Sequence, residues 1–576
     1  MDPARLYEDV DVAIVMESTY PYLKGGVSAV VHDILVGNPD LTFGIIHITW
    51  DSGSPHEDLY GMPDNARWVK PVYLSMQEHQ VDFAALSPRD LCMRRPARRR
   101  LAHRLFDALD AIVAGDPEPM WELYDEGMNP RTRRYPLWAL LGCAEFMEVL
   151  VERLPGLDLS LVDVFWLMRE FWSLACAVLG GDMPAARVYH AHTTGYASLL
   201  GAAAARQNDG AFLLTEHNLY VRDTVNTLLE RDMALPVTAA DWRTFDVSTT
   251  QRAWMAWWIE MGRFCYPSAE VITYLYPKAI MEAADLGSPV QKSVVIPNGM
   301  VPASVEAAHR SRLRAVDDLL AGGGDRVWRF AYIARVVPIK GLLDLIDSLD
   351  RLVQRGVTNF HLDVLGPTEH VPDYYEQCVA KIARLGLAPH ITFHGTVDVK
   401  ARLGDVDLLV LSSYNEGQPI VVLEAMTAGI PTVGTEVGGM AQLVRDTLTT
   451  PEGRSWGSCG VLVDPLNMVE GLADGLAAVM SDPELYATYA RNARGRVENF
   501  FQLDDAMRAY NDLYRELGRL PSEQSAAQGA EVVPSPPAAA LPTPRRRGQG
   551  AHRRTAGAHR MRPEMTQVLR TRVQPR

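Results

Sequence analysis

Short apolar runs bounded by glycine and proline recur along this chain, and most are followed by a stretch with apolar residues three and four apart. A run of four to eight apolar residues reads as a buried strand, and the 3.6-residue period as a helix packed on it. Runs at 10–16, 43–50, 188–190, 212–215, 271–273 and 294–296 predict the strands of one sheet; runs at 330–333, 361–365, 391–393, 406–411 and 431–434 predict a second. Strands that alternate with helices form βαβ units and a parallel sheet, so the fold class is α/β. The clearest unit spans 406–434: a strand, a loop with Gly417 and Pro419, an amphipathic helix at about 420–428, then Gly429 and Pro431, which stop it. Its loop lies at a strand's carboxyl end and a helix N-terminus, where open α/β sheets bind ligands and free backbone N–H groups suit a phosphate.

Between about 73 and 181 the pattern changes to long helical periodicities, notably 137–154 and 159–179. This segment reads as a helical insertion in the first domain. It carries a basic run, Arg94, Arg95, Arg98, Arg99 and Arg100, which would meet an acidic partner or a membrane surface, or more simply form a solvated helix face. Residues 300–326, ending in three glycines, read as the crossing to the second domain. The pattern predicts domains at 1–300 and 301–482, helices over 483–520, and a tail at 521–576. The tail is rich in Pro, Ala, Ser and Gln, with ten Arg against three Glu. It cannot bury a core and is expected to be disordered, serving as a tether to anionic lipid or a partner, or as a functionless extension.

A chain of 576 residues exceeds one ordinary core, and 47% hydrophobic with 22% charged residues suits a soluble globular protein. A net charge of -15 argues against a general nucleic-acid binder. The six cysteines are scattered without metal-ligand spacing, as reduced thiols are. The acidic N-terminus runs straight into a strand, unlike a signal peptide, and no apolar run approaches the ~20 residues that span a bilayer. The expected location is the cytoplasm.

Four clusters carry candidate chemistry. Glu416 in the loop and Glu424 eight residues on suit sugar hydroxyls, since a carboxylate accepts two hydrogen bonds; the simpler reading is a helix-capping acid and a solvated one. Arg335 and Lys340, five apart at a strand-to-helix turn, can clamp a pyrophosphate, although either alone is ordinarily a surface cation. Gly25 and Gly26 let backbone approach a ligand, or serve packing only. His190, His192, Glu216 and His217 stand at two strand ends; as metal ligands they lack supporting Cys or HExxH spacing, and a core or loop histidine is the default. Trp254, Trp257 and Trp258, at helical spacing, are core or a sugar platform.

The Glu416–Glu424 spacing followed by Ala-Gly-Ile-Pro-Thr-Val, the Arg335-x4-Lys340-Gly341 string, and Pro297-Asn298-Gly299 resemble retaining glycosyltransferases of family 4 with the GT-B fold. The resemblance covers roughly 10–518. The N-terminal half, through residues 16–28, 215–223 and the insertion, resembles the PelF branch. It implies two Rossmann-like domains facing across a cleft, with the first on the acceptor side, the second binding the nucleotide sugar, and C-terminal helices crossing back. By that likeness Arg335 and Lys340 hold the diphosphate, Glu416 the donor sugar and Glu424 the ribose. Gly417, Gln418, Pro419 and Ile420 continue the donor loop, Gly395 and Val397 lie against the nucleobase, and Gly25 and Gly26 against the phosphates. His192 reaches the sugar, and Arg222 and Asp223 line the acceptor side. The implied activity is a metal-independent transfer from a nucleotide-diphosphate sugar, UDP-glucose by family preference, to an exopolysaccharide, glycan or lipid-linked acceptor, with membrane-bound polysaccharide synthase components as candidate partners. No cofactor is implied. The rival readings are a GT-B epimerase or hydrolase and a non-catalytic subunit that binds a nucleotide sugar and regulates a membrane synthase.

Overall fold

The first sheet has seven parallel strands: β1 (Val10–Glu17), β2 (Phe43–Thr49), β3 (Ala66–Tyr73), β4 (Ala186–Ala191), β5 (Ala211–Glu216), β6 (Val271–Tyr274) and β7 (Ser293–Val295). Their order is β3-β2-β1-β4-β5-β6-β7. The second has six, from β8 (Trp328–Ile333), β9 (Phe360–Leu365), β10 (Ile391–Gly395), β11 (Leu408–Leu411), β12 (Thr432–Thr435) and, past the two-stranded hairpin β13 (Leu448–Thr449) and β14 (Ser455–Trp456), β15 (Gly460–Val463). Its order is β10-β9-β8-β11-β12-β15, again all parallel. In this computed structural model the described residues are 7–519 except 55, 76, 81–86, 154–159, 229–245 and 323–325. The basic tail at 521–576 and part of the glycine run at 322–324 lie outside them.

Central strands are apolar without alternation because helices cover both faces. Val12, Ala13, Ile14 and Val15 of β1 are fully buried. Besides the hairpin β13–β14, two strands escape the sequence pattern. β3 is an edge strand, half-buried along most of its length and interrupted by Pro71, which only an edge tolerates. β15 is the opposite edge of the second sheet, only half apolar in its burial.

Between β3 and β4 stand the helices Arg95–Val113, Glu118–Gly127, Ala144–Arg153 and Leu161–Leu179. The periodicity at 137–154 does not form one helix. A 3-10 turn, Leu137–Gly142, is followed by Cys143 in extended conformation before the helix Ala144–Arg153 begins. The basic run forms a largely solvated helix face, with Arg94, Arg95 and Arg100 exposed. Arg95, Arg98 and Arg99 pair with Glu148, Glu145 and Glu148 at 2.5, 3.2 and 3.1 Å, so the acidic partner is a neighbouring helix of the same chain.

The helical stretch at 483–517 is likewise divided, into Pro483–Phe500 and Leu503–Leu517. The break is anchored by the chain's other passage between the domains: Met300 N–H donates to Phe501 O at 2.8 Å and Leu503 N–H to Met300 O at 3.0 Å. A Cβ on Gly299 would fall 2.4 Å from Leu503 Cα, so only glycine lets the two passages touch. The last helix then docks on the first domain, where Tyr514 OH and His190 Nδ1 lie 2.7 Å apart and Arg515 pairs with Asp40. Among the described residues no helix is long and apolar enough to cross a membrane.

Candidate functional site

Strand order reverses between β1 and β4 in the first sheet and between β8 and β11 in the second. At such a point the two neighbouring loops leave in opposite directions and open a crevice at the strands' carboxyl ends. Gly25, Gly26, His192, Arg335, Lys340 and Glu416 stand on the loops after β1, β4, β8 and β11, while Arg222 and Asp223 follow β5 and Gly395 and Val397 stand at and after the edge strand β10.

In the second domain, Gly341 adopts φ +65°, and a Cβ there would stand 2.0 Å from Ser412 O. This close approach knits the loop after β8 to the loop after β11, with Tyr414 N–H donating to Ile339 O at 2.9 Å. Lys340 Nζ is thereby set 2.6 Å from Glu416 Oε1, with both side chains largely shielded from water. Arg335, on the same loop, is exposed and has no hydrogen bond or ion pair to another described side chain. The Glu424 carboxyl is pushed above its usual range by burial, with Lys400 opposing the shift and Asp398 adding to it. Gly395 has φ +66° and open space around it, and Val397 packs at the edge of the neighbouring core.

In the first domain, Gly25 is extended and exposed, and a Cβ on Gly26 would touch Ile420 Cδ1 of the second domain at 3.4 Å. His192 is buried; its Nδ1 lies 2.9 Å from His217 Nε2, while its Nε2 has no partner. His190 Nε2 meets Thr215 Oγ1 at 2.7 Å. The three rings form a column, centroids 4.0 and 5.2 Å apart. Burial holds all three neutral, with His190 and His192 well below the ordinary range and His217 lowered to about 4. Among the described residues no group of three His, Cys, Asp or Glu is placed to hold a metal ion.

The two crevices face and touch. Asn415, next to Glu416, fits between Arg222 and Asp223: Arg222 Nη2 donates to Asn415 Oδ1 at 2.9 Å, and Asn415 Nδ2 donates to Asp223 Oδ1 at 2.7 Å. Arg222 and Asp223, expected on the acceptor side, are thus engaged with the loop after β11, because their side chains reach across the cleft. Gln418 is also occupied. Its Oε1 accepts from Asn298 N–H at 2.7 Å and its Nε2 donates to Leu275 O at 3.2 Å. A Cβ on Gly417 would sit 2.0 Å from His217 O, so the loop passes backbone against backbone.

Sequence reasoning missed Glu17 and Lys400, and named Glu216 only as a candidate metal ligand. Glu17 ends β1 and Glu216 ends β5, flanking the histidines; burial raises both carboxyls to about 7, opposed at Glu216 by hydrogen bonds from Thr194 and Tyr266. One oxygen of Glu17 is buried without a partner. Lys400 lies within electrostatic reach of Asp33 of the first domain as well as Glu424. A glutamate at the end of an apolar run was the available signal for the two acids; nothing local marked Lys400.

Among solved structures, HepE of Anabaena in complex with UDP and glucose is similar at TM-score 0.51 and 15% identity, over 88% of this chain and 99% of that one. Sucrose-phosphate synthase from Thermosynechococcus elongatus is similar at TM-score 0.52 and 15% identity, with the same coverage. The fold is GT-B. Within this GT-B chain, residues 324–496 match the family model Glycosyl transferases group 1, and residues 10–291 match a domain of unknown function, DUF3492. A D-inositol 3-phosphate glycosyltransferase of Salinispora arenicola is 31% identical over 232 residues, 38% of this chain and 49% of that protein. An alpha-D-kanosaminyltransferase of Streptomyces kanamyceticus is 28% identical over 190 residues, 32% of this chain and 45% of that protein. The chain spans about half the length of these curated relatives.

Proposed function

We propose that the protein is a retaining glycosyltransferase that moves a hexose from a nucleotide-diphosphate sugar, UDP-glucose in the first instance, to a glycan or lipid-linked acceptor of exopolysaccharide synthesis. The supporting observation is the Lys340–Glu416 pair at 2.6 Å beside the exposed Arg335, at the second sheet's switch point and facing the first domain's glycine loop. Lys340 is paired with Glu416. A diphosphate offers it a more highly charged partner, and Arg335 a second cation for the clamp. Glu416 is then released toward the sugar hydroxyls, and Glu424, kept partly dry, accepts from the ribose.

Transfer proceeds as the anomeric C–O bond to phosphate breaks and its electron pair passes to the diphosphate, where Arg335 and Lys340 stabilise the charge. The acceptor oxygen bonds the same face of the anomeric carbon, and its proton passes to a phosphate oxygen. His192 Nε2, buried without a partner, is suited to a sugar hydroxyl. The chain's own residues supply the electrostatics without a metal ion. The protein acts in the cytoplasm, peripheral to the inner membrane face where a lipid-linked acceptor is presented.

The test is nucleotide release from UDP-, GDP- and ADP-sugars in the presence of EDTA and cell-envelope acceptors. Release from UDP-glucose, with the product's anomeric configuration matching the donor's, is expected. Tight nucleotide binding without release would instead identify a non-catalytic subunit.

A further inference from the structure

Asn415 closes a ring of four hydrogen bonds with three residues of the first domain. Arg222 Nη2 donates to Asn218 Oδ1 at 2.7 Å, and Asn218 Nδ2 donates to Asp223 Oδ2 at 2.7 Å. Asp223 Oδ1 accepts from Asn415 Nδ2 at 2.7 Å, and Asn415 Oδ1 accepts from Arg222 Nη2 at 2.9 Å. Both ends of the Asn415 amide are engaged, which fixes the plane of the side chain as well as its place. The cation in the ring is itself held. Arg222 is 8% exposed and its Nη1 donates to Glu282 Oε2 at 3.1 Å, so the planar fork is gripped on two sides.

Glu416 follows Asn415 directly, and its backbone is crowded from the other side. Gly438 adopts φ +52°, and a Cβ there would stand 1.9 Å from Glu416 O. Gly439 N–H donates to Gly417 O at 2.7 Å. The Glu416 backbone thus lies between the ring and the Gly438–Gly439 turn, while its carboxylate meets Lys340 at 2.6 Å. The first-domain segment that carries the ring also touches the histidines: His217, next to Asn218, has its Nε2 2.9 Å from His192 Nδ1. One short segment therefore meets both the His192 ring and the residue bonded to Glu416. A contact that served only to join the domains would have no need of a two-ended grip at that one position.

We propose that Arg222 and Asp223 are positioning residues for Glu416: by holding both ends of the Asn415 amide, they fix where the neighbouring carboxylate stands. The first domain thereby governs the acid of the second. This role rests on the transferase reading above. The test exchanges groups across the ring in the full chain, comparing Asn415→Asp with the double variant Asn415→Asp/Asp223→Asn. The single variant sets two carboxylates face to face, whereas the double restores a donor opposite an acceptor and keeps the net charge. Melting temperature, affinity for UDP, and kcat for nucleotide release from the sugar donor are measured for each. Asn415→Asp should lower the melting temperature and reduce kcat about tenfold or more, with UDP affinity within about twofold of wild type because Arg335 and Lys340 are untouched. The double variant should recover the melting temperature and most of kcat. Should Asn415→Asp fail to fold, Asn415→Ser removes both contacts without adding a charge and should show the same loss of kcat. Full kcat in the single variants, or a double variant that does not recover kcat, would overturn the proposal. Nucleotide release from no donor by the wild type would instead overturn the transferase reading, a separable result because the melting temperatures still report the ring.

Discussion

A lysine and a glutamate 2.6 Å apart join, at the level of single residues, the loops after β8 and β11. Their identities were legible in the sequence because the Arg335-x4-Lys340-Gly341 string and the Glu416–Glu424 spacing are local. Glu17 and Asn415 were not, and Glu216 was marked only as a candidate metal ligand, because their significance arises only when neighbouring strands or the opposite domain bury them. Glu216 allows a test by pH. Its folded carboxyl titrates near 7 against 4.5 ordinarily, so between those values the folded state keeps a proton the unfolded state has released. The stabilising contribution is complete below 4.5 and is lost as pH rises to 7, at up to about 1.4 kcal/mol per unit. Relative to Glu216→Gln, the wild type should therefore be less stable at pH 8 than at pH 5 in urea denaturation. His217, lowered to about 4, shifts stability the other way in both proteins and cancels in the comparison.

For the elements, the alternation of apolar run and helix gave the central strands and the α/β class, since strands buried on both faces need no partner information to be recognised. The edges were harder. β3 and β15 are half-exposed and look like loops in sequence, and the helical stretch at 483–517 conceals a break set by a distant backbone contact with Met300. The helix Leu503–Leu517 is fastened to the first sheet by Tyr514, buried against the neutral His190. Tyr514→Phe leaves His190 Nδ1 without that partner and should lower unfolding free energy by about 1–3 kcal/mol. Chemical denaturation measures this; an unchanged midpoint would show that the helix is held by apolar packing alone.

At the scale of the whole molecule, Asn415, Gln418 and the bare backbone of Gly417 meet the first domain, so the loop proposed to hold the donor is also a contact between domains. Closing such a cleft excludes water and guards an activated sugar from hydrolysis. That the donor loop would bear the domain contact was not legible, because both ends of each contact are distant in sequence. Gly417→Ala places a Cβ against His217 O and should hold the cleft open. Turnover is expected to fall at least about tenfold, with the melting temperature nearly unchanged because neither core is touched.

The measurement that bears most directly on the proposed reaction is nucleotide release from the preferred donor, with equilibrium nucleotide affinity measured alongside, for wild type, Lys340→Ala and Glu416→Ala. Loss of a charge-assisted contact predicts that Lys340→Ala binds nucleotide about 10- to 100-fold more weakly. Glu416→Ala, which frees Lys340, should bind nucleotide at least as well as wild type yet release almost none from the sugar donor. Full turnover by Glu416→Ala would contradict the account, because the loop around which both domains close would then have no part in the transfer.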